Sequence, residues 1–451
     1  MAYIGSTPTS QNFISGTDYF SGTGSQTAFT LTRTVNSVND IEVVINNVVQ
    51  QPSTAYTLSG TTITFTSAPS SGTNNIYVRY LATTMQSITV PANSITRTQL
   101  DSNLQAGFQG RNRIINGSMV VDQRNAGAST TAVNNTYLVD RFYYAATQAS
   151  KFTAQQNAGS VTPPTGFKNY LGFTTSSAYS VGSGDLFVAV QRIEGYNIAD
   201  LEWGTANAKT VTLSFWVRSS LTGTFGGSLA NDGGGTSYPY SYTINAANTW
   251  EYKTITIVGP TIGSWNSTNG MGIQIVWSLG VGSGYSGTAG TWAASTYLAP
   301  TGNTSVVGTS GATFYITGVQ LEEGTTATSF EREAYSVTLQ KCQRYYTQWG
   351  KSATFAAVPM GCLTASVASC RLYFPVTMRT SPSCSLVGTI NTDYQAYYNG
   401  GYKTLSNAGI SDVTSDSLRL DAVTSSLFGG GGCALFYVQT TSGAITATAE
   451  L

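Results

Sequence analysis

Histidine does not occur once in the 451 residues. That absence removes Ser-His-Asp and Cys-His nucleophile pairs, H-E-x-x-H zinc sites and every imidazole metal ligand. Charge is scarce as well. Asp, Glu, Lys and Arg make up 9% of the chain, against about a quarter in ordinary globular proteins, and 21 basic residues balance 21 acidic ones. Such a chain offers no electrostatic footprint for nucleic acid or for an anionic membrane. The five cysteines, Cys342, Cys362, Cys370, Cys384 and Cys433, form an odd set without a C-x-x-C pair, which argues against a disulfide framework and structural zinc. Reduced thiols fit a protein made and assembled in a cytoplasm. MAYIGSTPTS has neither the basic start nor the apolar core of a secretory signal, and no run suits membrane insertion. No segment repeats with a period of about 20 to 50 residues, which argues against a β-helix or propeller.

The missing charge is replaced by Thr, Ser, Asn, Gln and 48 Gly, while hydrophobic residues stay at an ordinary 41%. The chain is therefore globular rather than disordered, with a neutral, hydroxyl-rich surface. Many short strands with Thr on solvent faces and Gly at corners suit that composition, so the expected class is all-β. The length allows about two to four domains, each with its own core.

Residues 1–85 read as a small β domain. Ile41, Val43 and Ile45 alternate before an Asn46-Asn47 turn. Tyr56 and Leu58 lead into Ser59-Gly60, and Ile63 and Phe65 alternate with threonines. Ile76, Val78 and Tyr80 supply a last strand. Residues 86–110 form a linker with a short helix, in which Thr98 can cap and Leu100 and Leu104 share one face. Between 111 and 334 the strands lengthen. Val211, Leu213, Phe215 and Val217 face one way, as do Met271, Ile273, Ile275, Trp277 and Leu279, and ATFYITGVQL closes the set. This is the pattern of a β-sandwich. The Gly-rich stretches Phe225 to Tyr242 and Leu279 to Trp292 read as loops between strands.

Residues 335–350 read as a connecting amphipathic helix about 20 Å long. Tyr335, Leu339, Cys342, Tyr346 and Trp349 recur at steps of four and three, and Gly350 supplies the stop. A short helix with an apolar stripe needs a partner, and identical helices meeting on a three-fold axis would provide one. The seam of such a trimer would comprise Leu100, Leu104, Tyr335, Leu339, Cys342, Tyr346 and Trp349. Docking of each helix onto its own domain is the alternative. Residues 351–451 then form a C-terminal β tip domain.

Three phrases appear in order: NRIINGSMVVDQRNAG from Asn112, YLVDRF from Tyr137, and QLEEG, ATSFERE and CQRYY between Gln320 and Tyr346. They resemble the junctions of tail-fibre and receptor-binding proteins of tailed bacteriophages, especially short-tailed, podophage-like ones. Ser329 departs from that pattern, which has proline before the phenylalanine. The resemblance implies an elongated homotrimeric fibre in the virion, assembled in the host cytoplasm. It further implies an N-terminal domain attaching to tail or adaptor proteins, and a central jelly roll similar to carbohydrate-binding modules. Its partner would be a host cell-surface glycan or outer-membrane receptor, with no nucleic acid bound.

Without histidine, the surviving hydrolytic chemistry is the paired-carboxylate mechanism of glycosidases. Asp122, Asp140, Asp185, Glu194, Asp200, Glu202, Glu322 and Glu323 are the acids available, but the structural reading is the stronger one: Asp140 beside Arg141 fits an ion pair or turn former, and Glu322 and Glu323 fit solvated turn residues at a strand end. The glycine runs lack the lysine of a phosphate-binding loop, and no dense aspartate loop for calcium occurs, so no metal or cofactor is expected. Aromatics remain, because a sugar stacks its C–H face on Trp or Tyr and hydrogen-bonds to nearby amides and hydroxyls. Tyr394, Tyr397, Tyr398 and Tyr402, set among Asn391, Asp393, Gln395 and Asn399, are the first candidates, and Trp265 and Trp292 the second. The expectation is a fibre or spike subunit that binds a receptor glycan without cleaving it. A purely architectural fibre or collar protein and a glycan-cleaving tailspike are the alternatives.

Overall fold

A computed structural model of the chain describes residues 16–81, 110–350, 356–425, 428 and 432–451. The chain is all-β, with one α-helix among the described residues, and it divides into two compact units cut between Thr96 and Arg97.

The first unit pairs two small sheets. Thr17–Gly22, Gly72–Tyr80, Ile41–Ile45 and Val48–Val49 lie side by side in that order, and Ala28–Thr30, Thr62–Phe65 and Tyr56–Ser59 form the second sheet. The Asn46-Asn47 turn is observed, both residues at positive φ (48° and 63°), the geometry a tight hairpin demands. Phe29, Val43, Tyr56, Ile63, Phe65, Ile76 and Val78 make its core. Each such side chain contributes about 1.5–3 kcal/mol by leaving water. Leu100 and Leu104 lie outside the described residues.

The second unit begins with a jelly-roll-like sandwich of two six-stranded antiparallel sheets. In order across the first are Ser237–Ile244, Gly223–Ala230, Met271–Val281, Leu186–Glu194, Phe142–Ala146 and Thr136–Val139. Across the second are Glu251–Ile257, Val211–Ser219, Thr313–Glu323, Leu171–Thr175, Phe152–Gln156 and Thr130–Ala132. Inward residues of both sheets, including Phe142, Tyr144, Phe173, Phe187, Leu213, Phe215, Trp277 and Phe314, fill one core. The stretch from Phe225 to Tyr242, expected as a loop, is instead a hairpin of two core strands. Its glycines serve close packing rather than flexibility. A Cβ on Gly227 would stand 1.7 Å from the Val276 carbonyl oxygen, and one on Gly226 would stand 2.4 Å from Pro300.

The helix also differs from expectation. It spans Tyr335–Gln343, and Tyr346–Trp349 is a strand paired with Ala444–Thr448. The five-residue stripe is therefore broken: Tyr335 is 60% exposed, Cys342 is buried within its own chain, and Tyr346 and Trp349 sit on a sheet. Backbone pairing to a strand some hundred residues downstream outweighs the local helical spacing. That strand is shared by a small sheet with Ser383–Val387, which packs with a seven-stranded sheet. The larger sheet runs Gly401–Lys403, Tyr394–Tyr398, Cys433–Val438, Ala356–Cys362, Val367–Tyr373, Ser417–Thr424 and Leu405–Ser411. Met360, Phe374, Met378, Leu418, Leu420, Phe436 and Ile445 form the core of this C-terminal module.

Several charged groups meet where the module joins the sandwich. Glu194 accepts from Arg344 Nε and Nη2 at 3.0 and 2.6 Å and from Tyr345 Oη at 2.6 Å. Burial raises the Glu194 carboxyl, but these hydrogen bonds and the charges of Arg344 and Arg379 outweigh it and hold it below its usual range. Arg141 and Arg124 both pair with Glu450, and the Arg141 guanidinium lies 3.5 Å from the centre of the Tyr345 ring. Asp140 accepts from Gln123 N and Nε2 at 3.1 and 2.5 Å. Burial pushes its carboxyl up to about 6, against Arg124 and Gln123.

Candidate functional site

On the first sandwich sheet, the residues that alternate with the core face outward, and several are apolar. Tyr143, Val188, Val190 and Val276 lie on this outer face, and Leu298 covers them from the segment after Met271–Val281. The segment is held down by a parallel bridge of Ser286–Gly287 with Ala299–Pro300 and by a Leu298 N to Tyr285 O bond of 2.7 Å. Between segment and sheet opens a cleft of about 370 Å³. Its floor is Tyr143, Ala145, Val188, Val190 and Val276, and its rim carries Arg192, Asp232, Gln274 and Tyr285. Tyr137 packs against Tyr143 with ring centres 5.4 Å apart.

Arg192 is the polar group that the chain itself positions here. Arg192 sets its guanidinium 4.7 Å from the Tyr143 ring centre and donates through Nη1 to the Leu451 carbonyl, while its buried Nε has no acceptor. Burial pushes the Tyr143 hydroxyl above its ordinary range, opposed by Arg192. An apolar floor with a few convergent donors and acceptors, in a volume of this size, is the usual form of a small-ligand site.

The aromatic residues singled out from the sequence are dispersed. Tyr394 is fully buried, its hydroxyl bonded to the Val387 and Ala444 carbonyls. Tyr398 packs on Phe428 at 5.6 Å. Tyr397 and Tyr402 share an outer face with Tyr437, their centres 5.2 to 6.2 Å apart, beside a Gln439 to Gln395 bond of 2.6 Å. This trio forms an exposed platform, and Tyr402 is 54% accessible. Trp265 and Trp292 instead join Trp203 in a mutually perpendicular cluster at one end of the sandwich. Their indole N–H groups donate to the Ile262 and Val258 carbonyls, so both indole donors are engaged within the chain.

The candidate acids are committed to structure. Asp122 accepts from the Asn125 and Gly127 amides, and Asp185 from Thr147, Tyr179 and Gly182. Asp200 pairs with Arg113, Glu322 with Gln320 and Thr328, and Glu323 with Lys209. Glu202 occupies a left-handed turn position. The cleft contains a single carboxylate, Asp232, among its lining residues.

No family model matches the sequence, and no curated protein matches it. Solved structures with a similar backbone layout include the enzymatically active domain of tailspike protein 4 from bacteriophage CBA120. It shares 12% identity with this chain at a TM-score of 0.27, over 47% of this chain and 21% of that one. The carbohydrate-binding module TmCBM61 in complex with β-1,4-galactotriose matches at 12% identity and TM-score 0.24, over 48% of this chain and 99% of its own. A family 11 carbohydrate-binding module of a Clostridium thermocellum cellulosomal cellulase matches at 12% identity and TM-score 0.22, over 45% and 98%.

Proposed function

We propose that this protein is a non-catalytic, glycan-recognising subunit of a phage tail appendage, with the sandwich cleft as its principal binding site. The observation that carries the reading is the cleft itself. A tyrosine-bearing apolar floor lies beneath a buried Arg192 Nε without an acceptor, and beside Gln274 and Asp232, whose side chains bond to no other described residue. Sugars meet such a surface with C–H faces against rings and hydroxyls that both donate and accept. One carboxylate cannot perform paired-acid hydrolysis, so binding without cleavage is the matching activity. The place in a tail appendage rests on the junction phrases and on the order of small β domain, sandwich and C-terminal module. The small domain is read as the attachment to the tail, the assembly as a homotrimer, and the Tyr397, Tyr402 and Tyr437 platform as a further receptor contact.

The test is binding of the full chain to a panel of neutral and acidic surface polysaccharides, with reducing ends assayed in parallel. Saturable binding, reduced at least about tenfold by Gln274→Ala or Tyr285→Ala and without release of reducing ends, is expected. Binding indifferent to both substitutions would overturn the cleft assignment, and release of reducing ends would favour the cleaving tailspike. Sedimentation equilibrium at a single-chain mass would remove the trimer.

A further inference from the structure

The opposite sheet of the sandwich carries a second, separate groove. Trp216 and Tyr252 are cross-strand neighbours with ring centres 5.3 Å apart, and Phe167 and Phe330 meet beside them at 5.1 Å. Two hollows of about 440 and 160 Å³ adjoin here and share Phe167, Phe330 and Arg332 as walls. The backbone is shaped to admit these groups. Gly318, at φ +62°, leaves room where a Cβ would stand 2.7 Å from the Phe167 ring and 3.1 Å from Trp216. Gly166, at φ +87°, does the same for the Arg332 guanidinium, 2.7 Å from the position of a Cβ.

The electrostatics are unlike those of the rest of the chain. The Arg332 guanidinium carbon lies 4.8 Å from the Phe167 centre and 5.8 Å from that of Phe330. Stacking engages the flat face of a guanidinium and leaves its N–H edge available for a planar acceptor. Neither Arg332 nor Lys168, in the smaller hollow, has a hydrogen bond or ion pair with another described residue. The carboxylates of the same walls are already engaged. Glu331 accepts from the Gly110 and Asn112 amides at 2.5 and 2.7 Å, and Glu333 pairs with Lys341. In a chain of zero net charge, this groove presents two uncompensated cations beside an aromatic floor.

We propose that the groove binds a carboxylate-bearing sugar unit of an acidic polysaccharide. The ring stacks on Trp216 and Tyr252, and the carboxylate is clamped by the edge of Arg332 with Lys168 nearby. The proposal shares with the preceding section the reading that the ligand is a saccharide, and is otherwise independent of the cleft.

Calorimetric titration of the full chain with an oligogalacturonate hexamer, and with its methyl ester as a neutral control of the same ring, tests it. The acid is expected to bind at least about tenfold more tightly than the ester, with affinity falling as salt rises. Arg332→Gln should abolish that preference, Gly166→Ala should weaken it by displacing the guanidinium, and Trp216→Ala should weaken both ligands. Thermal melts of each variant verify folding, and Gln274→Ala in the cleft should leave the titration unchanged. Absence of oligogalacturonate binding, equal affinity for acid and ester, or an unaltered preference in Arg332→Gln would overturn the proposal. If Gln274→Ala removes the binding and Arg332→Gln does not, the groove assignment fails and the cleft reading stands.

Discussion

Replacing Glu194 with alanine should loosen the junction between sandwich and C-terminal module more than any neighbouring truncation. Glu194 closes a sandwich strand and is 2% exposed, yet it accepts three hydrogen bonds from residues that lead into the module. Removing it strands two donors unequally. The Arg344 side chain is 35% exposed and rehydrates, so its loss is softened by water. Tyr345 is fully buried and its hydroxyl has no route to solvent. An orphaned buried hydroxyl costs about 1–3 kcal/mol, and a lost charge-assisted bond about 1.5 kcal/mol or more, so Glu194→Ala should cost about 3 kcal/mol. Tyr345→Phe removes one donor without orphaning the carboxylate, which keeps Arg344, and should cost about 1 kcal/mol. Residues sharing a hydrogen bond are coupled, so the double variant should fall short of the sum by about 1 kcal/mol or more. Urea unfolding followed by tryptophan fluorescence measures all four proteins. Additive effects, or a Glu194→Ala cost below about 1 kcal/mol, would refute the claim that this carboxylate ties the two parts together.

Asp140 gives a pH signature of the opposite sign to the usual carboxylate. Its carboxyl is raised from 3.8 to about 6, so between those values the folded chain holds a proton that the unfolded chain has released. Stability should therefore fall by roughly 2 kcal/mol as pH rises from about 4 to about 6, and Asp140→Asn should flatten that slope in unfolding curves taken across the range. Glu194, held low, contributes stability above its unfolded value that is lost only as pH falls through its lower folded one. Gly227→Ala should destabilise by about 3 kcal/mol or more, since its new methyl meets the fixed Val276 carbonyl; a melting temperature within a degree of wild type would contradict that packing. Deleting Leu451 should weaken glycan binding several-fold with little change in melting temperature, because it removes the acceptor that fixes Arg192 beside the cleft; unchanged affinity in a titration would break that link.

Much of the fold is written in local pattern. Asn46-Asn47 marks a hairpin because few other residues tolerate both positive φ values, and the alternation in Val211–Ser219 and Met271–Val281 matches the observed inward faces. The helical pattern runs past the true helix because Tyr346 and Trp349 satisfy its spacing by coincidence. What decides their conformation is the Ala444–Thr448 strand, which no local window contains. The hairpin around Gly226 and Gly227 looks like a loop in sequence because glycine usually marks flexibility, whereas in the fold Tyr240, Val276 and Pro300 crowd the backbone. The cleft was not legible as a site, since it gathers side chains from three strands and a distant covering segment. A signal did exist in LFVAV and QIVW, where apolar residues occupy both faces, the mark of a strand covered on each side.

The C-terminal residues connect these observations. Ala444–Thr448 is the middle strand of the small sheet, and the chain continues directly into Glu450, which pairs with Arg124 and Arg141 of the sandwich. Arg379 fixes the same stretch by donating to the Ala449 and Glu450 carbonyls at 2.8 and 2.9 Å. Leu451 then holds the Arg192 guanidinium over Tyr143 at the edge of the cleft. An arginine on a free rim would lose its rotamer entropy on meeting a ligand, at a cost of about 0.5–1.5 kcal/mol; one already stacked and hydrogen-bonded has met that cost in folding. If the cleft binds as proposed, the C-terminal module is the support that pre-orders one of its groups on the sandwich. The charged pairs at this junction supply the directional bonds that such positioning requires.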